Sequence, residues 1–464
     1  MNQEKNAKKP LSRKQAPSRR PRPDAGPEKA GLEVRSTASK LLSAVVERKI
    51  SLDGMLDPVH GNPAYKRLGD ADRALTRAIL NSALRHLPRI EAAIAGMLDT
   101  PLPEGARALH YVLVVAAAQI LHLDVPAHAV VDLAVEQANR DPRNRRFAKL
   151  VNAVLRRLVR EKQDVLDRTA AVMPVPGWFF DRLVAAYGED EARRIAEAQL
   201  VPPAIDLTVK SDLQGWAAKL SGRLLPTRSI RLPAFEGAVS ALAGFDEGEW
   251  WVQDAAASIP ARLFGDLRGK VIADLCAAPG GKTAQLIAAG AEVFAVEQSA
   301  NRLARLEGNL ERLGMKARLV HGDLFDFKPE RPLDGVLLDA PCSSTGTTRR
   351  HPDVLWTKGP EDIAKLAALQ ARMLRQAVTL VKPGGLVVFS NCSLDPLEGE
   401  DLVAALLRDD SRLERVPVDP QDWPGLETAV TPLGEFRTTP AMLPASDGFG
   451  GGMDGFFASI LRVR

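Results

Sequence analysis

The chain has 464 residues, 45% of them hydrophobic, with 62 Lys/Arg against 58 Asp/Glu and a formal net charge of +4. That length predicts about three domains at ~150 residues each, with enough apolar content for sizeable cores. Three widely spaced cysteines and seven scattered histidines argue against a disulfide framework and a structural zinc site, so a reducing, cytoplasmic compartment and no metal are expected.

Residues 1–32 are expected to form a disordered basic tail. The first thirty residues hold nine Lys/Arg, three Asp/Glu, five Pro and almost no large apolar residue, too little to offset the entropy of ordering. A solubilising tail and a phosphate-attracting arm fit that composition equally. No apolar segment follows these charges, so no secretory signal is expected.

Residues 33–165 read as an all-helical bundle. Leu41, Leu42, Val45 and Val46 form one stripe, Leu75, Ile79, Leu80 and Leu84 a second, and Ile90, Ile94 and Leu98 a third. Val130, Leu133, Ala134 and Ala138, then Leu150, Val151, Val154, Leu155 and Leu158, continue the i, i+3, i+4 spacing. The longest apolar run, residues 111–123, contains Gln119 and His122 and is shorter than the ~20 residues of a membrane span. A buried helix and no membrane partner are expected. Residues 143–162 carry eight cations against Glu161, which favours a phosphate-binding face over a merely solvated one.

Residues 166–262 read as a small α/β linker subdomain, with a helix over 178–187, a strand over 205–210, and Pro202, Pro203, Pro226 and Pro233 breaking it up. From 263 to 464 short apolar strands alternate with helical stretches. Strands are predicted at 271–275, 293–296, 319–320, 335–338 and 386–389, giving a doubly wound α/β, Rossmann-like domain whose parallel sheet is covered on both faces.

The first of these strands runs into Asp274-Leu-Cys276-Ala277-Ala278-Pro279-Gly280-Gly281-Lys282-Thr283. A Gly-rich strand-to-helix turn lets a ligand approach the backbone closely. Cys276 stands where a P-loop needs its first Gly, and no Gly-x-Gly-x-x-Gly is present. The remaining reading is the nucleoside-binding loop of an S-adenosylmethionine-dependent methyltransferase. Glu297 ends the second strand, 23 residues beyond Asp274, where a ribose-hydroxyl acceptor is expected; it also fits a helix N-terminus. Asp323 follows the third strand, as an adenine contact or a helix cap. Asp339 ends the fourth and opens Asp339-Ala-Pro-Cys342-Ser-Ser-Thr-Gly, and Cys392 lies in Ser-Asn-Cys392-Ser-Leu-Asp-Pro. Acidic residues at the carboxyl edge of successive strands mark the ligand edge of a doubly wound sheet.

These three motifs in this order resemble the NOL1/NOP2/Sun family of RNA cytosine-C5 methyltransferases, as do Val252-Gln-Asp254 and Met453-Asp-Gly-Phe-Phe-Ala-Ser-Ile460. The helical segment resembles a NusB-like RNA-binding domain through residues 126–136 and 149–158. The resemblance covers residues 33–464. It implies a methyltransferase domain with S-adenosylmethionine as cofactor, RNA as partner, and 16S rRNA as the expected RNA, with tRNA as the alternative. It implies that Cys276–Lys282 line the cofactor loop, that Glu297 holds the ribose and that Asp323 lies near the adenine. Arg302 and Asp339 touch the cofactor, Cys392 is the nucleophile, Cys342 assists product release and Asp339 also contacts the base. Lys282 joins the catalytic group, and a monomer is expected.

Two positions depart from the family pattern: Asn391 stands where Thr is usual and Gly399 where Asn is common. The cations of Arg349-Arg350-His351, beside a base-modifying site, are expected to meet the RNA backbone. Three rivals remain. A non-catalytic RNA-binding assembly factor is disfavoured by the presence of Cys392 and Asp339. An amino-group methyltransferase is disfavoured because Asp339-Ala-Pro-Cys342 replaces the Asp/Asn-Pro-Pro-aromatic motif. An oxidoreductase is disfavoured by the missing glycine fingerprint.

Overall fold

A computed structural model describes residues 29–464, apart from positions 58 and 236. The basic tail lies almost entirely outside the described residues.

The N-terminal part is helical, as the spacing predicts. Its axis is the helix Arg107–His122, in which twelve residues are buried, so it is apolar on all sides. Gln119, the polar interruption, accepts from Arg35 Nε at 3.1 Å and donates to the Val115 carbonyl at 2.8 Å, which removes the cost of burying it. Helices Leu32–Arg48, Asp70–Arg85, Leu87–Ala95, Ala127–Arg140 and Ala148–Arg160 turn their stripes onto this axis.

Helices Gly177–Tyr187 and Glu189–Ala198 follow, with a four-stranded antiparallel sheet made of β1 (Asp206–Val209), β2 (Arg223–Leu224), β3 (Ile230–Arg231) and β4 (Trp250–Val252), in the order β2-β3-β1-β4.

The C-terminal sheet contains β5 (Val271–Leu275), β6 (Glu292–Glu297), β7 (Arg318–His321), β8 (Leu333–Asp339), β9 (Val381–Asn391), β10 (Leu413–Arg415), β11 (Phe436–Thr438) and β12 (Phe456–Val463). Its order is β10-β12-β9-β8-β5-β6-β7, with β11 pairing β12. The five predicted strands are present and parallel. The sheet is mixed rather than all-parallel, because β12 runs antiparallel against β9 and carries β10 and β11. Helices Pro360–Thr379 and Glu400–Asp409 bury Met373, Leu374, Val403 and Leu406 on one face. Ile259 and Leu286 cover the other. From β5 the chain runs outward to β6 and β7, then returns to β8 on the opposite side. The carboxyl ends of β5 and β8 therefore open a crevice at the topological switch point.

Among the described residues no helix is long and apolar enough to cross a membrane.

Candidate active site

Every residue of β5 is buried, which fixes where its loop begins. The amides of Cys276 and Ala277 both donate to the Val296 carbonyl at 3.0 Å, tying the loop to β6. Cys276 has φ 86°, uncommon for a residue with a side chain and a mark of a conformation imposed by its surroundings. Gly280, at φ 103°, caps the helix Gly281–Ala288. Below the loop, Thr283 Oγ1 donates to Asp274 Oδ2 at 2.7 Å, while Asp274 Oδ1 is buried without a partner. Burial pushes the Asp274 carboxyl up to about 7, against the Thr283 hydrogen bond.

Register brings the other motifs together. Asp339 pairs across the parallel ladder with Ser390. Ser390 Oγ donates to Asp339 Oδ1 at 3.0 Å, and Lys282 Nζ donates to Oδ2 at 2.7 Å. Lys282 also lies 4.9 Å from the centroid of the Phe456 ring. Just beyond these strand ends, Cys342 Sγ and Cys392 Sγ are 3.5 Å apart. The pair divides its protons unequally. The hydrogen bond from Cys342 holds the Cys392 thiol below its ordinary value despite burial, with Lys282 adding a favourable charge. The same contact and burial push Cys342 well up. Burial, with the carboxylates of Asp339 and Asp274 adding to it, also pushes Cys276 up. The described structure thus favours one thiolate, Cys392.

A cavity of about 890 Å³ joins these groups. Cys276, Ala277, Ala278, Pro279, Gly280, Gly281, Lys282, Arg302, Asp339, Cys342 and Cys392 all line it. Glu297 and Asp323 do not: both stand at strand ends with their carboxylates engaged. Glu297 accepts from the amides of Ser299 at 3.0 Å and Ala278 at 3.4 Å, and Arg302 lies 3.5 Å away. Asp323 accepts from the Phe325 amide and Gln298 Nε2, each at 3.1 Å. Arg302 spans the two regions, donating to the Ala278 carbonyl at 2.8 Å.

The expectation for Arg349 is corrected. Arg349 is 1% exposed and donates to the Gly451 carbonyl at 2.6 Å. Arg350 pairs with the fully buried Asp454. Internal acceptors hold the buried Arg349 guanidinium away from the RNA backbone, whereas Arg350 keeps 35% of its side chain exposed and lines the cavity. His351 lines the cavity and pairs with Asp53 of the helical part at 3.2 Å.

Sequence reading missed the wall contributed by the helical part, Lys49, Ser51 and Asp53, because nothing local links them to motifs some 300 positions away. It also missed how the nucleophile loop is supported. Glu398, fully buried, accepts from the Ser343 amide at 2.9 Å and from Gln370 Nε2 at 2.8 Å, clamping the loops of both cysteines. The Glu398–Glu400 segment marked the position but gave no sign of the clamp.

Residues 266–462 match the family 16S rRNA methyltransferase RsmB/F, and residues 32–160 match the NusB family. Ribosomal RNA small subunit methyltransferase B of Salmonella typhi is 37% identical over 393 residues, covering 81% of this chain and 90% of the relative. The same-named protein of Salmonella paratyphi C is 36% identical over the same coverage. Among solved structures, PH0851 superposes with a TM-score of 0.69 over 94% of this chain and 99% of its own, at 19% identity, a likeness of fold. A methyltransferase homolog protein from Pyrococcus horikoshii is 26% identical, with a TM-score of 0.51 over 61% of this chain and 94% of its own. Taken with the paired thiols at the switch point of a methyltransferase sheet, these matches mean that the chain belongs to the RsmB/F family of 16S rRNA methyltransferases.

Proposed function

We propose that this protein methylates carbon 5 of a cytosine in 16S rRNA, using S-adenosylmethionine and a covalent bond between Cys392 and the base. The observation that carries this reading is the Cys342–Cys392 pair, two thiols 3.5 Å apart of which one is held toward thiolate.

The residues present fit the cofactor. The loop after β5 turns through the left-handed conformations of Cys276 and Gly280, and the wall beneath it includes the unpartnered Asp274 Oδ1. The volume lies within the ~300–1,000 Å³ range of small-molecule sites. Residues 276–282 and Arg302 are assigned to its binding, with Glu297 and Asp323 assigned to ribose and adenine. When bound, S-adenosylmethionine supplies an electrophilic methyl group on its sulfonium.

Carbon 5 of cytosine is a weak nucleophile. Addition of the Cys392 thiolate to carbon 6 pushes electron density onto carbon 5 and divides one hard step into easier ones. Asp339, oriented by Ser390 and Lys282, accepts from the exocyclic amino group of the base and so fixes the ring against the Cys392 thiolate. Once carbon 5 is methylated, its proton passes to a base at the site, the carbon 5–carbon 6 double bond re-forms and Cys392 leaves carbon 6 as a thiolate. Cys342 assists that release from thiol–thiol distance. The base reaches the strand edges only when unstacked, so a single-stranded or flipped nucleotide is required.

The test is transfer of labelled methyl to unmodified 16S rRNA and to tRNA, with nuclease digestion to identify the product. The expected result is 5-methylcytosine in 16S rRNA, abolished by Cys392→Ala. Label in tRNA alone overturns the substrate. RNA binding with no transfer to either RNA supports an assembly factor instead.

A further inference from the structure

Six Lys/Arg side chains line the catalytic cavity. Four have partners: Lys282 with Asp339, Arg350 with Asp454, Arg302 with Glu297, and Arg312 with the Phe245 and Trp250 carbonyls. Among the described residues, Lys49 and Lys358 have neither an ion pair nor a side-chain hydrogen bond.

These two lysines come from different parts of the chain. Lys49 caps the end of the helix Leu32–Arg48, and Lys358 caps the short helix Val354–Thr357 in the catalytic part. The intervening loops are tied together. The Leu52 amide donates to Asp353 Oδ2 at 2.9 Å, His351 pairs with Asp53 at 3.2 Å, and Arg305 lies 3.8 Å from Asp57. The carboxylates of Asp53, Asp57 and Asp353 are therefore already engaged. Lys49 is exposed and Lys358 half-buried, and both line the same cavity as Cys392.

A base inserted into this cavity brings its ribose inward but leaves its two phosphates at the rim, because a phosphodiester is costly to bury. A cation that breaks no existing pair is the most favourable partner for them. We propose that Lys49 and Lys358 form a phosphate clamp across the junction of the helical and catalytic parts, gripping the RNA backbone on either side of the target nucleotide. The clamp rests on the RNA methyltransferase reading of this site. It gives the helical part a direct share in positioning the substrate.

The test uses the full chain with Lys49→Gln, Lys358→Gln and the double variant, measuring Kd for an unmodified 16S rRNA fragment against salt concentration. Each substitution is expected to flatten the log Kd–log salt slope by ~0.7–1, the share of one phosphate contact. RNA KM should rise several-fold while S-adenosylmethionine Kd stays constant, and Lys→Arg should restore binding. Unchanged slopes in both single variants and the double variant, with unchanged thermal melting, overturn the clamp. A wild type that binds RNA without methylating it refutes the enzymatic reading, and the salt slopes still decide the clamp.

Discussion

The two departures from the family pattern have physical reasons at the scale of single residues. Asn391 is 1% exposed; its Nδ2 donates to the Glu398 carbonyl at 2.6 Å and its Oδ1 accepts from the Ser393 amide at 3.0 Å. The amide thus spans the turn immediately after Cys392 with a donor at one end and an acceptor at the other. Gly399 is required by packing, since a Cβ there would lie 2.6 Å from Arg437 Nη2 and 2.9 Å from Phe457 Cγ. The unequal thiols give a pH-dependent prediction. The opposite shifts of the two thiols assign Cys342 as donor to Cys392, so Cys342→Ala should raise the Cys392 pKa. Alkylation of Cys392, followed against pH by mass spectrometry, should have a midpoint below the ordinary thiol value in the wild type and move upward in the variant. An unmoved or lower midpoint refutes the assigned donor. At this scale all three motif cysteines were legible in the sequence, but their division of labour was not. It depends on a 3.5 Å contact between residues 50 positions apart.

At the scale of elements, the helix Gly177–Tyr187 lies outside the catalytic sheet yet holds the nucleophile loop. Tyr187 Oη donates to the Leu394 carbonyl at 2.6 Å, and Arg182 binds both oxygens of Asp395. From the other side, Arg437 donates to the Ser393 carbonyl. Arg182→Ala should lower kcat roughly tenfold, about 1.4 kcal/mol, with RNA KM unchanged, and Arg182→Lys should recover part of it. An equal loss in kcat and thermal stability that Lys does not repair makes the residue merely structural. The helix itself was readable from its apolar residues. Its role was not, because Arg182 and Asp395 are 213 residues apart. The five parallel strands were likewise legible as apolar runs between helices. The antiparallel β10 and β11 escaped, because they have three residues each and show no alternation to read.

At the scale of the whole molecule, the sequence motifs converge because the strand order reverses between the parallel neighbours β5 and β8, bringing three distant loops to one edge. What the sequence could not display is the composite cavity, closed on one side by residues 49–53 of the helical part. Arg349 shows the reverse case, since a cation in a charged run reads as exposed until its buried acceptors are known. The account stands or falls on covalent chemistry at Cys392. The most direct measurement is to incubate Cys342→Ala with unmodified 16S rRNA and S-adenosylmethionine, then look for a denaturation-resistant protein–RNA complex by gel shift and peptide mass. The expected result is a stable adduct mapped to Cys392 and absent from the Cys342→Ala/Cys392→Ala double variant. Full methyl transfer by Cys392→Ala, with no adduct at any cysteine, would contradict it.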